Sequence, residues 1–213
     1  MLGRYKVRLV LPSCKMRPRR AVPASQGTPR KKPTVDYDGF PVLPEVLSRC
    51  RRQLNAIIRL TPVQKQFIGT LVDTEVAVGY YIRRTNVSGE TWVAYLAVKM
   101  KYPGDLAKFA KLVSHLPPSR GLYANTIKKS LDPRWSLSLH GIVAYTLLRE
   151  VRTYLYNEKS ILEVECILKH GPIASAVRPH PFIACGATWV RRGVWYWPQI
   201  DDKNNSEVNP QSG

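Results

Sequence analysis

Apolar residues recur along this chain with two periods, and each change of period marks an element boundary. Over residues 44–60, Val46, Leu47, Leu54, Ile57 and Ile58 offer an apolar stripe and Arg49, Arg51 and Arg52 a basic face, which predicts a short helix. Thr61-Pro62-Val63-Gln64 has the form of a capping box with proline at the first helical position. Val63, Phe67, Ile68, Leu71 and Val72 follow at helical spacing, so a second helix is predicted over 61–73. From Val76 the period falls to two. Val76, Val78, Tyr80 and Ile82 share one side of a strand, with Ala77, Gly79, Tyr81 and Arg83 on the other. After the turn-forming Asn86-Val87-Ser88-Gly89, a return strand sets Trp92, Ala94, Leu96, Val98 and Met100 against Tyr95, Lys99 and Lys101.

The alternation then repeats. Pro103-Gly104-Asp105 opens a helix carrying Leu106, Phe109, Ala110, Val113 and Leu116, which Pro117-Pro118 stops. Short strands over 121–127 and 135–139 flank a turn at Leu131-Asp132-Pro133, and helices over 142–156 and 159–169 follow, the last ended by Gly171-Pro172. Helix, hairpin, helix, hairpin, helix, helix is an α+β order, with an antiparallel sheet carrying its helices on one face. Beyond it, Thr188-Trp189-Val190 and Val194-Trp195-Tyr196-Trp197 around Arg191-Arg192-Gly193 predict a further hairpin before a polar end.

Charge changes this picture most at the start of the chain. Lys and Arg number 33 against 15 acids, a formal charge of +18. Ten of the basic residues, among them Arg17, Arg19, Arg20, Arg30, Lys31 and Lys32, precede the first acid, Asp36. Such one-signed charge is costly without a polyanion, so nucleic acid is the expected partner. Residues 1–43, rich in Pro, Arg and Lys, are read as an extended basic arm that adds charge and no core, so deleting 1–40 is expected to leave the fold intact. An acid-free, Arg-rich start also fits an organelle transit peptide. No apolar run approaches the roughly 20 residues of a membrane span, and no membrane partner is expected. Cys14, Cys50, Cys166 and Cys185 lack framework spacing and are expected to be reduced thiols.

The segment Phe67-Ile68-Gly69-Thr70-Leu71-Val72-Asp73-Thr74-Glu75-Val76, with the order αββαββα around it, resembles the LAGLIDADG homing endonucleases. Trp135-Ser136-Leu137-Ser138-Leu139, leading to a helix that ends Tyr154-Leu155-Tyr156-Asn157-Glu158-Lys159, strengthens the resemblance, which covers 61–171. It divides the chain into the arm over 1–43, a linking helix over 44–60, the LAGLIDADG-like domain over 61–171 and an extension over 172–213. One copy of the motif implies a homodimer packed through the 61–73 helix, each chain delivering one acid. Glu75 is that acid here; two of them across a dyad would hold Mg²⁺ beside the scissile phosphates. Gly69, small enough to let two helix backbones approach, fits such an interface, and the two strand pairs would form a saddle for a nucleic-acid groove.

The chain also departs from the family. Val76 stands where a glycine usually follows the acid, Thr70 replaces the glycine within the helix, and Glu158 takes the expected place of an active-site lysine, with Lys159 one step on. A bulky Val76 would restrict the turn presenting the acid. Nucleic-acid contacts are expected from Tyr81, Arg83, Tyr95, Lys99, Lys101 and Arg134 together with the basic residues of the arm. The plainer alternatives are a solvated or capping Glu75 and cross-strand packing for Tyr81 and Tyr95. Cys166 and His170, four apart on a predicted helix, could join His180 and Cys185 in a zinc site, or Cys166 could be a small core residue beside Leu162 and Ile167. Two functions follow from these residues. One is a non-catalytic RNA binder of an organellar ribonucleoprotein, such as a ribosome component or intron maturase; the other is a homodimeric endonuclease making Mg²⁺-dependent double-strand cuts in DNA.

Overall fold

Short-range capping and turn chemistry sets most element boundaries in the computed structural model, which describes residues 34–85, 89–125, 130–176, 179–191, 194–198 and 200. Strands β1 (Val35–Tyr37) and β2 (Phe40–Val42) form a hairpin whose turn residues Asp38 and Gly39 both have positive φ, at 58° and 82°, as a tight two-residue hairpin turn requires. Helix α1 (Pro44–Ile58) leads to α2 (Pro62–Thr74), whose predicted capping box is present in full. The Thr61 N–H donates to Gln64 Oε1 at 2.9 Å, and the Gln64 N–H to Thr61 Oγ1 at 3.4 Å. Strands β3 (Val76–Thr85) and β4 (Gly89–Met100) pair over their full shared length.

Helix α3 (Gly104–Leu112) is shorter than its apolar spacing suggests. Ser114 turns left-handed at φ 49°, and the His115 N–H reaches back to the Ala110 carbonyl at 2.9 Å, closing the helix with a Schellman-type cap before the prolines. Leu116 is left exposed.

Strands β5 (Ser119–Asn125) and β6 (Ser130–His140) follow, then α4 (Ile142–Val151), a 3₁₀ turn over Arg152–Tyr154, and α5 (Glu158–His170). Leu131-Asp132-Pro133, expected as a turn, lies within β6 and pairs with residues 122–124 of β5. Pro133 is tolerated because β6 pairs with β4 only from Trp135 onward, so no partner strand asks for the missing N–H on that side. The expected turn at 86–88 lies outside the described residues.

Strand β7 (Ile173–Ser175), helix α6 (Pro181–Ala184) and the hairpin of β8 (Thr188–Arg191) with β9 (Val194–Tyr196) complete the order.

The main sheet runs β3-β4-β6-β5, antiparallel throughout. β6 pairs with residues 95–100 of β4 and β7 with residues 91–93, so the two share one edge of that strand. The even-numbered residues of β3 and β4 and the odd-numbered ones of β6 face the helices. Val78, Tyr80, Leu96, Val98, Leu137 and Leu139 are buried there against Ile68, Leu106, Phe109, Leu147, Leu148 and Ile167. Each large apolar side chain removed from water contributes roughly 1.5–3 kcal/mol. This is the α+β architecture expected, an antiparallel sheet with helices on one side.

Two outlying segments belong to that core more than their composition indicates. Within the stretch read as an extended arm, β1 and β2 dock on α4. Tyr145 Oη donates to Asp38 Oδ2 at 2.8 Å, Arg149 Nη1 lies 3.0 Å from the same oxygen, and Tyr37 Oη and Thr146 Oγ1 are 3.0 Å apart. The hydrogen bond from Tyr145, then Arg149, holds the Asp38 carboxyl below the usual carboxylate range. At the other end, Phe182 and Trp197 of the extension are buried against the helical side. The Tyr80 hydroxyl donates to the Gly171 carbonyl at 2.8 Å, tying β3 to the end of α5. The described residues fall in one compact unit, 33–213. Among them, no helix is long and apolar enough to cross a membrane.

Candidate nucleic-acid interface

The opposite face of the sheet carries the residues singled out by strand alternation. Register sets Arg83 opposite Thr91, Tyr81 opposite Val93 and Gly79 opposite Tyr95; Tyr95 stands opposite His140, Lys99 opposite Ser136, and Arg134 opposite Gly121. Antiparallel partners share a face, so Arg83, Tyr81, Tyr95, Lys99 and Arg134 lie on one surface, opposite the packed helices.

Their environments differ. Tyr81 packs edge-on to His140 at 5.3 Å and tilted against Tyr95 at 6.2 Å, and it keeps 36% of its surface exposed. Tyr95 lies over Gly79, where an added Cβ would meet its ring at 3.2 Å. Burial, then the nearby charge of Glu163, raises the pKa of the Tyr95 hydroxyl. Tyr95 is therefore a cross-strand packing residue that braces Tyr81, whereas Tyr81 offers a ring to solvent. Arg83 and Lys99 are exposed. Arg134 is half-buried, with Nε 3.0 Å from Asp132 Oδ2, so its charge is shared with the acid on its own strand. Lys101 departs from the expectation: β4 ends at Met100, strand alternation stops there, and the Lys101 ammonium lies 5.4 Å from the Tyr102 ring centroid. Arg17, Arg19, Arg20, Arg30, Lys31 and Lys32 lie outside the described residues.

Glu75 closes α2 as its C-cap, exposed, its N–H donating to the Leu71 carbonyl at 2.8 Å. Val76 enters β3 without a positive φ, so the turn that presents Glu75 does not need the glycine that Val76 replaces. Glu75 joins no cluster of three or more His, Cys, Asp or Glu ligands among the described residues. Lys159 sits in the first turn of α5, where its Nζ lies 4.0 Å from Glu163 Oε1.

Gly69 does not serve the close approach of a second helix. Its open side meets Tyr154 of the same chain, whose carbonyl oxygen would stand 2.6 Å from an added Cβ. Asp73 fastens the same turn, accepting the Tyr156 N–H at 2.8 Å. The exposed side of α2 bears Val63, Gln66, Thr70 and Thr74 instead. The Thr70 and Thr74 hydroxyls turn back to the carbonyls of Gln66 and Thr70 at 3.1 and 2.9 Å, and both residues are exposed.

Two polar groups near this surface escape the sequence pattern. His140 ends β6 beneath Tyr81, its pKa lowered by burial. Glu163 is largely buried, and that burial raises its pKa to about 7 against the opposing pull of Lys159. Its four-residue spacing from Lys159 is the one available signal, since its burial depends on where α5 packs.

No protein-family model matches the chain, and no curated protein is significantly similar to it in sequence. Among solved structures, the chain is similar to the homing endonuclease I-CvuI, determined with its target and calcium, at 13% identity and a TM-score of 0.34; the match covers 50% of this chain and 67% of that one. A second I-CvuI structure, with magnesium and uncleaved DNA, matches at 13% identity and a TM-score of 0.33. The LAGLIDADG homing endonuclease I-LtrWI, bound to target DNA, matches at 20% identity and a TM-score of 0.34, over 55% of this chain and 39% of that one. Each of these matches spans about half of this chain.

Proposed function

We propose that the protein binds nucleic acid through the uncovered face of its main sheet, and that it is a non-cutting RNA binder of an organellar ribonucleoprotein. The observation that carries this reading is the surface made by Tyr81, Arg83 and Lys99. It combines exposed cations with an exposed ring braced by Tyr95 and His140, and its acid Asp132 is already neutralised by Arg134. Cations supply the salt-dependent attraction to phosphate, and a presented ring stacks on an unpaired base. The acid-free basic stretch before Asp36 supports RNA, because arms of this composition thread along phosphates in packed ribonucleoproteins. The same stretch supports an organellar destination.

The alternative is a homodimeric, Mg²⁺-dependent DNA endonuclease, and the exposed side of α2, with Val63, Thr70 and Thr74 open to solvent, is the observation that favours it. A dimer through that side would bring two Glu75 carboxylates toward one another. Thr70 and Thr74 at such a crossing, however, would hold two helices further apart than small residues would. Ultraviolet crosslinking in the native cell, followed by sequencing of the bound nucleic acid and mapping of the crosslinked peptides, distinguishes the readings. RNA joined to peptides of β3 and β4 is expected. Crosslinks confined to the helical side, or recovery of a single duplex DNA site cut with Mg²⁺, would overturn the proposal.

A further inference from the structure

Away from the sheet surface, three metal-ligating side chains converge where the extension meets the end of α5. Cys166 and His170, four residues apart, project from the same side of that helix. Cys185 caps α6 from the opposite side. One ligand atom from each, the two Sγ atoms and a ring nitrogen, lies within 4.8 Å of the others. The two sulfurs are joined as a disulfide, contrary to the expectation of reduced thiols. Folding, not sequence spacing, brings them together, since α6 packs across α5 with Cys166 Sγ 3.2 Å from the Pro181 carbonyl oxygen.

His180 does not belong to this group. Its Nδ1 accepts the Phe182 N–H at 3.1 Å, and its ring packs against Trp195 at 4.3 Å and Trp92 at 4.7 Å. It serves as the cap of α6 and the centre of an aromatic cluster, so a four-ligand site that includes it does not form.

We propose that Cys166, His170 and Cys185 bind one zinc ion when the cysteine pair is reduced, with the fourth coordination position open to solvent. Zinc takes thiolate and imidazole ligands tetrahedrally at about 2.3 and 2.0 Å, which places the ligand atoms about 3.3–3.8 Å from one another. The ligand atoms already lie within 4.8 Å of one another, about 1 Å from that spacing. A dithiol reductant cleaves the S–S bond by a two-electron exchange, leaving two thiols here and its own disulfide; zinc then displaces both thiol protons. His170 also lines a cavity of about 680 Å³ together with Ser175, Pro181 and Ala184, which gives water a route to the histidine side of the site. The oxidised pair and the zinc-bound pair are two ways of fastening the extension to α5, chosen by the redox environment.

Cobalt(II) titration of the full chain tests this, because thiolate-bound tetrahedral cobalt has a charge-transfer band and visible d–d bands of its own. After anaerobic reduction and removal of the reductant, one equivalent of cobalt is expected to develop these bands, and one equivalent of zinc to abolish them. His170→Asn should weaken uptake at least tenfold with the far-ultraviolet helix signal unchanged. His170→Cys should restore uptake with a stronger thiolate band, which a merely structural histidine would not do. Equal uptake by the oxidised protein, no bands in the reduced one, or uptake unaltered by His170→Asn would each overturn the proposal.

Discussion

The backbone carbonyl of Tyr154 closes over Gly69, leaving 2.6 Å to the place where a Cβ would stand. The turn after α4 thus lies directly on α2, and Asp73 secures it one helical turn further on through the Tyr156 N–H. A glycine inside a helix ordinarily lowers stability by about 0.5–1 kcal/mol relative to alanine. Here the close approach reverses the sign. Gly69→Ala is expected to destabilise the protein by roughly 1–3 kcal/mol, since a rigid carbonyl must move to admit the methyl group. Urea unfolding reads this directly; a variant as stable as the parent would show that the turn does not pack on Gly69.

Where the chain begins to matter for stability is also defined by specific bonds. A chain starting at residue 34 retains β1 and β2, and one starting at residue 43 takes Asp38 away from Tyr145 and Arg149, Tyr37 from Thr146, and Phe40 from its edge-on packing with Tyr145 at 5.5 Å. The shorter chain should be less stable by roughly 2–4 kcal/mol, given typical values for charge-assisted bonds and aromatic pairs. Equal melting of the two would remove the hairpin from the core.

What can be read in advance follows the range of the interactions. The capping box at Thr61, the two periods and the alternation that sets Tyr81, Arg83 and Lys99 on one face depend on residues a few positions apart, and all are found. Gly69 misleads because a small residue on a helix shows that something approaches closely, not whether it comes from the same chain. The hairpin at 35–42 is hidden in a basic, proline-rich stretch, since its anchors Thr146, Tyr145 and Arg149 lie more than a hundred residues on. The pairing of Cys166 with Cys185 likewise emerges only once α6 is placed.

Burial of Glu163 makes stability depend on pH with a defined sign. Its pKa is raised from 4.5 to about 7, so the folded state holds a proton that the unfolded chain has released, and this stabilisation is present below pH 4.5 and disappears as pH rises through 7. His180 acts oppositely: burial lowers its pKa from 6.5 to about 4, so the protein loses stability as pH falls across that interval. The two partly cancel in the parent. Glu163→Gln removes one and keeps the other, so the stability of the variant relative to the parent should rise by about 1–3 kcal/mol between pH 4.5 and 7. A difference independent of pH would refute the burial of this carboxyl.

The sheet surface should reveal itself through salt. Replacing both Arg83 and Lys99 with alanine is expected to weaken nucleic-acid binding and to reduce the slope of log affinity against log salt by about one for each phosphate no longer neutralised. Tyr81→Ala should weaken binding to single-stranded more than to duplex nucleic acid, with the slope nearly unchanged, because stacking carries no charge. An unaltered slope in the double variant would place the binding surface elsewhere.

Glu75 is the residue at which the endonuclease reading can be tested. Val76 presents this acid without backbone strain, so the missing glycine does not by itself disable the site. Under the endonuclease reading the obstacles would be the exposed Thr70 and Thr74, which would widen a two-fold crossing of α2, and Glu158, which puts a negative charge where the family resemblance implies a lysine. In that reading two carboxylates would have to share metal ions beside the scissile phosphates, so a modest increase in helix separation would be enough to abolish such a site. The parent protein is therefore expected to leave duplex DNA uncut in Mg²⁺. Glu75→Gln, which keeps the shape and removes the charge, should match it in nucleic-acid affinity and in the absence of cleavage. Sedimentation of the free protein adds a separate check, with a monomer expected at micromolar concentration. Site-specific double-strand cutting by the parent, abolished in Glu75→Gln while binding persists, would reverse the assignment and make Glu75 a metal ligand of a functioning dimer.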